Sequence, residues 1–440
     1  MGYHVVAIPY PGRGHINPLL NLFNSLVSDD GILVTFVVTE EWLRLLAAEP
    51  RPRCVRFASI PNVLPSETLR AADFPGFIEA VNTKMVAPVD QILDGLESPP
   101  NLIIADGCLT WAVKMGNRRD IPVALLWPMS ATMLTAMFHF HLLEHNGHFP
   151  VDLSERGIER VEYLPGLSST SLSEILGGFG GNYSYTLSTF REAISFTPKA
   201  NYLLLSTLHE LENLAIESLK SEFSILVHPV GLLLPPLSPA PDNLKPEYTR
   251  WLDQRQENSV LYVSLGSFLY VSEEQMGEIV AGLVGSGVSF MLVARSKAKR
   301  LREACGEGLV VEWCDQLGVL SHASVGGFLS HCGWNSVKEG ILCGVPFLTF
   351  PIAADQFLNG KMIVEEWKMG WRLRKETSRD CVVMRDEIAA IARGFMNGED
   401  GRVKDMRNRG RELSLVLRNR IVQSPQSNII KAFLQRVDLT

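Results

Sequence analysis

The 440-residue sequence contains no apolar stretch long enough to cross a membrane, and it does not open with the basic and hydrophobic regions of a secretory signal. It also lacks a low-complexity tract and any run of lysine or arginine that could form a basic stripe. Its formal net charge of -7 is unfavourable for a nucleic-acid-binding surface. These absences predict a globular cytoplasmic protein that neither inserts into membranes nor binds nucleic acid.

Cysteine is scarce, with seven residues and no CxxC pair. An odd number of scattered cysteines does not fit a disulfide framework, so we expect free thiols in packing positions and a reducing compartment. Residues 141–145 match the H-x-x-E-H pattern of some zinc proteases. No third-ligand motif follows downstream, so we predict no metal site and expect these histidines to border a cleft or solvent.

Several nucleotide-binding and catalytic motifs are also missing. The sequence has no G-x-x-x-x-G-K-[ST] phosphate loop, which argues against a P-loop ATPase or kinase. The glycine loop at residues 12–14 is a poor dinucleotide fingerprint, because the third glycine would fall on Asn17. The absence of a G-x-S-x-G elbow disfavours a serine nucleophile.

The hydrophobic pattern that is present indicates two α/β domains. A hydrophobic content of 46% over 440 residues is sufficient for two cores. Short β-branched runs alternate with helical segments such as 131–144, which is typical of parallel sheets covered by helices on both faces. The predicted strands lie at residues 4–10, 32–38, 102–105, 123–127, 202–206, 225–228, 260–264, 290–294, 309–313 and 325–330.

Proline marks the boundary between the two domains. Residues 235–246 are rich in proline and polar residues, which is typical of an extended, semi-rigid connection. The pattern predicts a first domain at 1–234, a linker at 235–246 and a second domain at 247–423. Residues 424–440 predict an amphipathic helix, capped by Ser424, that packs back on the first domain.

A helix start that follows the strand at residues 325–330 is rich in polar groups. Asn335 and Ser336 stand in its first turn, and His331 stands in the preceding turn of the chain. Free backbone N–H groups and the partial positive charge of a helix start suit a phosphate. The alternative is that Asn335 or Ser336 only caps the helix.

His15 and Asp106 form a second candidate pair. Both follow predicted strands of the first domain, at the edge where open parallel sheets bind their ligands. A carboxylate bonded to an imidazole fixes its tautomer and stabilises the imidazolium that forms when the ring accepts a proton. His15 is therefore either a general base or a histidine that only closes its loop.

The 44 residues from Trp313 to Gln356, with HCGWNS at 331–336, closely resemble the signature box of plant UDP-dependent glycosyltransferases of specialised metabolism. The resemblance extends over most of the chain, including PYPGRGHINPLL near the start and STLHELE at 206–212. These enzymes have the GT-B fold. The resemblance therefore implies an α/β protein of two facing Rossmann-like domains, with parallel sheets and a cleft between the domains.

The resemblance also implies a donor site for a UDP-sugar. Trp313 looks like the indole on which uracil stacks, and Gln316 and Glu339 resemble the groups that hold the ribose hydroxyls. Asp355 and Gln356 resemble the pair that reads the sugar, and a glutamine there is similar to that of glucosyl-transferring members. UDP-glucose is thus implied as donor co-substrate, with no prosthetic group. The implied donor-binding residues are Ser267, Trp313, Cys314, Gln316, His331, Gly333, Trp334, Asn335, Ser336, Glu339, Asp355 and Gln356.

In the same resemblance, His15 matches the general base and Asp106 its orienting carboxylate. The implied reaction is inverting transfer of glucose to a hydroxyl of a small apolar plant metabolite, by an enzyme that we expect to be a monomer. The alternative is a non-catalytic nucleotide-sugar-binding protein on the same fold. The implied acceptor-binding residues are Gly12, Arg13, Trp127, Met129, Phe138 and His139.

The sequence departs from the family pattern at a few positions. Ala353 and Ala354 precede Asp355 where many members carry a bulky aromatic or polar residue. Lys338 differs from the commonest choice, and Ser206 stands where members usually have asparagine. We expect the change at Lys338 to be compatible with function and Ser206 to have a structural role.

Overall fold

The computed structural model describes residues 3–24, 31–49, 51–67, 70, 73–179, 185–236, 245–266, 271–295, 298–374 and 381–438. Short apolar runs form its strands. These are β1 (Tyr3–Ile8), β2 (Ile32–Thr39), β3 (Val55–Ile60), β4 (Leu102–Asp106), β5 (Val123–Trp127), β6 (Arg160–Val161), β7 (Thr170–Ser171), β8 (Tyr202–Leu205), β9 (Leu226–Pro229), β10 (Val260–Ser264), β11 (Ser289–Val293), β12 (Leu309–Val311), β13 (Val325–Ser330), β14 (Phe347–Thr349) and β15 (Gly370–Arg372).

Helices connect most of these strands. They are α1 (Arg13–Phe23), α2 (Glu40–Leu46), α3 (Phe74–Lys84), α4 (Val86–Asp94), α5 (Thr110–Arg118), α6 (Ala131–Phe138), α7 (Phe140–His145), α8 (Leu153–Arg156), α9 (Leu172–Leu176), α10 (Tyr185–Phe196), α11 (His209–Glu222), α12 (Glu247–Asp253), α13 (Glu273–Ser286), α14 (Ala298–Arg302), α15 (Gln316–Leu320), α16 (Trp334–Cys343), α17 (Gln356–Lys361), α18 (Arg385–Met396), α19 (Gly401–Gln423) and α20 (Gln426–Asp438).

The strands form two large sheets, beside a small antiparallel pair of β6 and β7. The order of the first sheet is β3-β2-β1-β4-β5-β8-β9, and that of the second is β12-β11-β10-β13-β14-β15. All pairings within the two large sheets are parallel. The prediction of two parallel-sheet domains is therefore confirmed. We call the parts built on these sheets the first and second domain.

Burial explains why the central strands are apolar throughout. Every residue of β4, β5 and β13 is buried, as expected for parallel strands covered on both faces. In the first domain, Phe36 and Ile104 belong to one hydrophobic cluster, and Ile103 and Trp127 belong to another. A third cluster, which includes Phe328, forms the core of the second domain.

Several local predictions differ from the structure: the sequence pattern did not predict β3, β6, β7, β14 or β15, and one predicted helix is divided. Strand β3 was not predicted, because Arg56 and Ser59 interrupt its apolar pattern, and their exposure fits its position at the sheet edge. The helix predicted over 131–144 is two helices, α6 and α7, which meet at His139. The break redirects the chain, because the backbone of His139 is not helical.

The C-terminal helix α20 lies against the first domain. Its apolar face enters the hydrophobic cluster that also contains Phe36, through Ile430, Phe433 and Leu434. The ring of Phe433 lies edge-on to Tyr202 of β8, with 5.2 Å between ring centroids. Helix α20 therefore packs on the domain that contains β1.

In each large sheet, the strand order reverses between two neighbouring strands, and these reversals position the candidate site. The chain continues from β1 to β2 and β3 on one side and returns to β4 on the other side of β1, so the reversal lies between β1 and β4. The corresponding reversal in the second sheet lies between β10 and β13. Ligands of open parallel sheets bind outside the carboxyl ends of such strands.

Candidate functional site

His15 and Asp106 meet at the reversal point of the first sheet. His15 lies in the first turn of α1, which follows β1, and Asp106 is the last residue of the neighbouring strand β4. The Nδ1 atom of His15 lies 2.7 Å from Oδ2 of Asp106. The carboxylate is buried, and its other oxygen accepts from the backbone N–H of Cys108. A proton on Nδ1 leaves the lone pair of Nε2 available to accept another.

Aromatic residues surround this histidine. The ring of Tyr10 lies 5.1 Å from the ring of His15, and Phe77 lies edge-on to Tyr10 at 5.8 Å. Arg70, which is buried, donates from Nη1 to the carbonyl oxygen of Pro11, 2.8 Å away. Our sequence reasoning did not include Tyr10, Phe77 or Arg70. Only Tyr10 carried a signal, because it ends the strand predicted at residues 4–10.

The helix start at α16 lies at the reversal point of the second sheet. Its cap is Gly333, and no side chain caps the helix. The interpretation that Asn335 or Ser336 only caps the helix is therefore wrong. The first N–H groups of a helix have no partner within it, and the first such bond in α16 comes from Val337 to Gly333. The start of α16 can therefore bind an anion.

His331 lies directly below this helix start. Burial lowers the pKa of its imidazole to about 4, so the ring is neutral near pH 7. Its Nδ1 atom is buried and has no hydrogen-bond partner among the described residues. A Cβ atom on Gly333 would lie 2.4 Å from Nε2 of His331, so glycine is needed for this close approach. A bound phosphate oxygen could satisfy the unpaired Nδ1 position.

A hydrogen-bonded group connects α15 and α16. The side-chain amide of Gln316 donates to the carboxylate of Glu339 and to Oγ of Ser336, the latter at 2.8 Å, while Oε1 accepts from Tyr262. Burial raises the pKa of Glu339 to about 7, and the bond from Gln316 opposes this effect. Trp313 precedes the group with 70% of its area exposed. Exposed indole beside polar groups provides a stacking surface.

Two predicted donor-binding residues have buried side chains that are engaged elsewhere. Sγ of Cys314 lies 3.3 Å from the hydroxyl of Tyr262, and Nε1 of Trp334 donates to the carbonyl oxygen of Ser206, 2.8 Å away. Their side chains therefore do not face a donor, although their backbone groups remain at the site. A further predicted residue, Ser267, lies outside the described residues.

Asp355 and Gln356 begin α17. Oε1 of Gln356 accepts from the backbone N–H groups of Ile352 and Ala353. Oδ2 of Asp355 accepts from Nδ2 of Asn359, at 2.8 Å. Burial raises the pKa of Asp355 to about 6, and the effects of Asn359 and of a charged His15 oppose the rise. Asp355 is thus close enough to the His15 ring for the two groups to interact across the domain boundary.

Asn359 was missed, although a signal was present. It follows Asp355 by four positions at the start of α17, and this spacing places two side chains on the same face of a helix. Its Nδ2 atom also donates to the carbonyl oxygen of Cys332, 2.9 Å away. Asn359 therefore connects the sugar-reading segment to the loop that carries His331.

The predicted acceptor-binding residues are not all brought together. Gly12 caps α1 beside His15, and Met129 is half-buried near the carboxyl end of β5. Arg13 pairs with Glu49, at 2.5 Å, and its guanidinium lies over Trp42. Gly12 and Met129 are thus placed at the edge of the sheet that carries His15, whereas the charge of Arg13 is already partnered.

The side chains of Trp127, Phe138 and His139 pack against other residues of the first domain. The indole of Trp127 is fully buried and donates to the carbonyl oxygen of Ser130. Phe138 packs edge-on against Phe223, and Nε2 of His139 lies 3.3 Å from Oγ of Ser218. Phe138 is the last residue of α6, and His139 is its C-cap. Their assignment to the acceptor site stays a prediction.

The two domains touch at several points around the site. Nδ2 of Asn335 donates to the carbonyl oxygen of Gly14, and the N–H of Ala354 donates to the carbonyl oxygen of Gly178. The distance is 3.0 Å in the first bond and 2.8 Å in the second. The donor-side helix and the sugar-reading segment are therefore both in contact with the domain that carries His15.

Among the described residues, no group of three or more His, Cys, Asp or Glu side chains could hold a metal ion. Both histidines of the H-x-x-E-H pattern, His141 and His145, are exposed. In the same described part of the chain, no helix has the length and apolarity of a bilayer span.

Comparison with known proteins gives one consistent answer. A sequence model described as "UDP-glucoronosyl and UDP-glucosyl transferase" matches residues 238–383. UDP-glycosyltransferases 87A1 and 87A2 of Arabidopsis thaliana are each 46% identical to this chain, covering 98% and 99% of it and 99% and 97% of their own lengths.

A solved structure of similar fold is that of Phytolacca americana UGT2 complexed with UDP-2fluoro-glucose and pterostilbene. It is 26% identical, with a TM-score of 0.79 over 99% of this chain and 100% of that one. The predicted GT-B architecture is confirmed by this likeness. With two nearly full-length relatives at 46% identity, the chain belongs to the plant UDP-glycosyltransferase family and is a glycosyltransferase.

Proposed function

We propose that this enzyme transfers glucose from UDP-glucose to a hydroxyl group of a small apolar acceptor, with inversion at the anomeric carbon. His15 is the general base, and Asp106 orients it. The observation that carries the proposal is the 2.7 Å contact between these side chains, at the sheet edge that faces the donor-side helix. A histidine that only closed its loop would not need a buried carboxylate as partner.

The donor lies on the second domain. Uracil stacks on the exposed indole of Trp313, and Glu339 accepts hydrogen bonds from the ribose while Gln316 holds its carboxylate. The diphosphate lies at the start of α16, where free N–H groups and the neutral ring of His331 donate to it. Asp355, with Gln356, binds the hydroxyls of glucose beside His15.

The transfer is a single displacement. Nε2 of His15 removes the proton of the acceptor hydroxyl as its oxygen forms a bond to the anomeric carbon. The bond from that carbon to the UDP oxygen breaks on the opposite face, so an α-linked donor gives a β-glucoside. Negative charge grows on the leaving diphosphate, and the start of α16 stabilises it. Asp106 stabilises the imidazolium until the proton is released.

The acceptor lies in the first domain against the half-buried Tyr10, which packs on the buried Phe77, with Gly12 leaving room beside His15. A Cβ atom at Gly12 would lie 3.4 Å from the guanidinium of Arg70 and 3.9 Å from the His15 ring. An aromatic wall favours an apolar acceptor. The Phytolacca americana relative was solved with pterostilbene, which is consistent with this class of acceptor.

The test is a UDP-release assay with UDP-glucose and a panel of phenols and aliphatic alcohols, with products analysed by mass spectrometry and NMR. The expected product carries one added hexose in β-linkage. An α-linked product would contradict inversion. UDP binding without release across the whole panel would favour the alternative, a non-catalytic nucleotide-sugar-binding protein.

A further inference from the structure

The first turns of α16 present two different faces. Ser336 and Glu339, three positions apart, both accept from Gln316 within the second domain. Trp334 and Lys338, four positions apart, both reach a residue of the first domain. This division follows from helical geometry, in which residues three or four apart share a face. One face therefore serves the donor site, and the other serves the contact between domains.

The residue that both side chains reach is Ser206, at the carboxyl end of β8. The carbonyl oxygen of Ser206 accepts from Nε1 of Trp334 at 2.8 Å, and its Oγ atom accepts from Nζ of Lys338 at 2.6 Å. Ser206 is itself fixed to the first sheet, because its N–H donates to the carbonyl oxygen of Trp127. The helix is thus attached at two points to one residue of a rigid strand end.

Lys338 is fully buried at this contact. A buried amine without partners would cost free energy, so its position requires compensation. The bond to Ser206 supplies one partner, and the carboxylates of Glu339 and Glu212 act favourably on its charge. Burial nevertheless lowers the pKa of Lys338 to about 7. The bond to Ser206 is therefore the direct contact by which the buried amine connects the two domains.

We propose that Lys338 is a positioning residue for sugar transfer, which holds the donor helix against the first domain through its bond to Ser206. The helix is rigid over one turn, so a fixed point at Lys338 also fixes the direction of its start, where Asn335 contacts Gly14 beside His15. The bond therefore sets the distance between the donor and the base. The proposal rests on the proposed function only for its kinetic readout.

The experiment compares Ser206→Ala, Lys338→Met and the double variant with wild type. We expect kcat to fall about 10-fold in each single variant, because small displacements of reacting groups slow transfer strongly. In Ser206→Ala the dissociation constant of UDP, measured by calorimetry, should change less than about 2-fold, because Ser336 and Glu339 keep their bonds to Gln316. The double variant should be no slower than either single variant, since both changes remove one interaction.

Ser414→Ala is the matched control. Oγ of Ser414 donates to the carbonyl oxygen of Leu342 at 2.6 Å, near the other end of the same helix, and it is likewise buried. This bond lies within the second domain, so its loss should leave kcat close to wild type. Unchanged kcat in Ser206→Ala, or an equal loss in Ser414→Ala, would overturn the proposal. Ser206→Ala keeps the test valid if Lys338→Met does not fold.

A readout without turnover separates this proposal from the proposed function. Hydrogen exchange of UDP-bound protein should speed up in peptides around Gly14 and Ser206 in Ser206→Ala, but not in Ser414→Ala. Equal exchange in both variants would contradict the positioning role. If wild type releases no UDP with any acceptor, the proposed function fails, whereas the exchange result still decides whether Lys338 and Ser206 hold the domains together.

Discussion

The side-chain amide of Asn335 donates to the carbonyl oxygen of Gly14, at 3.0 Å, directly before His15. One residue at the start of the donor-side helix is therefore bonded to the loop that carries the base. Oδ1 of the same amide is buried and has no partner among the described residues. The donor half and the acceptor half of the site are thus part of one hydrogen-bonded arrangement.

Replacement of Trp313 by alanine should weaken UDP binding about 10-fold, because stacking of a base on an aromatic ring contributes about 1–3 kcal/mol. The side chain is 70% exposed, so the melting temperature should stay close to wild type. Calorimetry with UDP measures the first effect, and Trp313→Phe, which keeps an aromatic face, should retain most of the affinity. Equal affinity in Trp313→Ala and wild type would exclude a stacking role.

Gly178→Ala should disturb the sugar-reading segment. A Cβ atom at Gly178 would lie 2.1 Å from the carbonyl oxygen of Ala354, which is backbone and cannot turn aside. We expect a higher KM for UDP-glucose and a lower melting temperature. Gly277→Ala is the control, because its Cβ would meet nothing within 4 Å inside α13. Identical kinetics of Gly178→Ala and Gly277→Ala would show that the contact is not needed.

Lys338 should make stability depend on pH. Its pKa is about 7 in the folded protein and about 10.5 when unfolded, so between these values the unfolded chain binds more protons. The contribution of Lys338 to the free energy of unfolding therefore rises as the pH increases from about 7 to about 10.5. Glu339 has the opposite effect below pH 7, where its raised pKa makes the stability that it contributes fall as the pH rises. The carboxylate of Glu212 also faces the amine of Lys338.

Thermal denaturation at pH 7 and pH 9 measures this effect. The difference in melting temperature between Lys338→Met and wild type should shift in favour of wild type as the pH rises. Lys404→Met, at an exposed position, is the control and should follow wild type at both values. A pH-independent difference between Lys338→Met and wild type would contradict the lowered pKa.

Asp106→Asn should preserve the fold and lower kcat by at least about 100-fold, because the amide can hold the wrong tautomer of His15 and cannot stabilise its positive charge. The affinity for UDP should not change, since Asp106 lies in the first domain. Asp90→Asn, which alters an exposed ion pair with Arg118, is the control. A similar kcat in the two variants would remove Asp106 from the mechanism.

Much of the fold could be predicted because buried parallel strands are apolar throughout, as in β4 and β13. Strand β3 could not, since an edge strand with exposed Arg56 lacks this pattern. The polar helix start at Asn335 was predictable from residue type alone. Its domain contact with Gly14, 321 positions away, was not, because no local pattern encodes such a distance.

The contacts of Phe138 and His139 could not be predicted from the sequence. Both follow Trp127 closely in sequence, and their aromatic character suggested a pocket. In the structure Phe138 packs against Phe223, and His139 lies beside Ser218. Conversely, Phe77 is far from His15 in sequence and reaches its neighbour Tyr10 only through folding.

The central claim is that His15 removes the acceptor proton while the second domain binds the donor. The most direct measurement is single-turnover transfer by His15→Ala with saturating UDP-glucose, together with calorimetric binding of UDP. We predict that transfer falls by at least about 100-fold while the UDP dissociation constant stays within about 2-fold of wild type. Transfer at a rate close to wild type would contradict the assignment of His15 as the base.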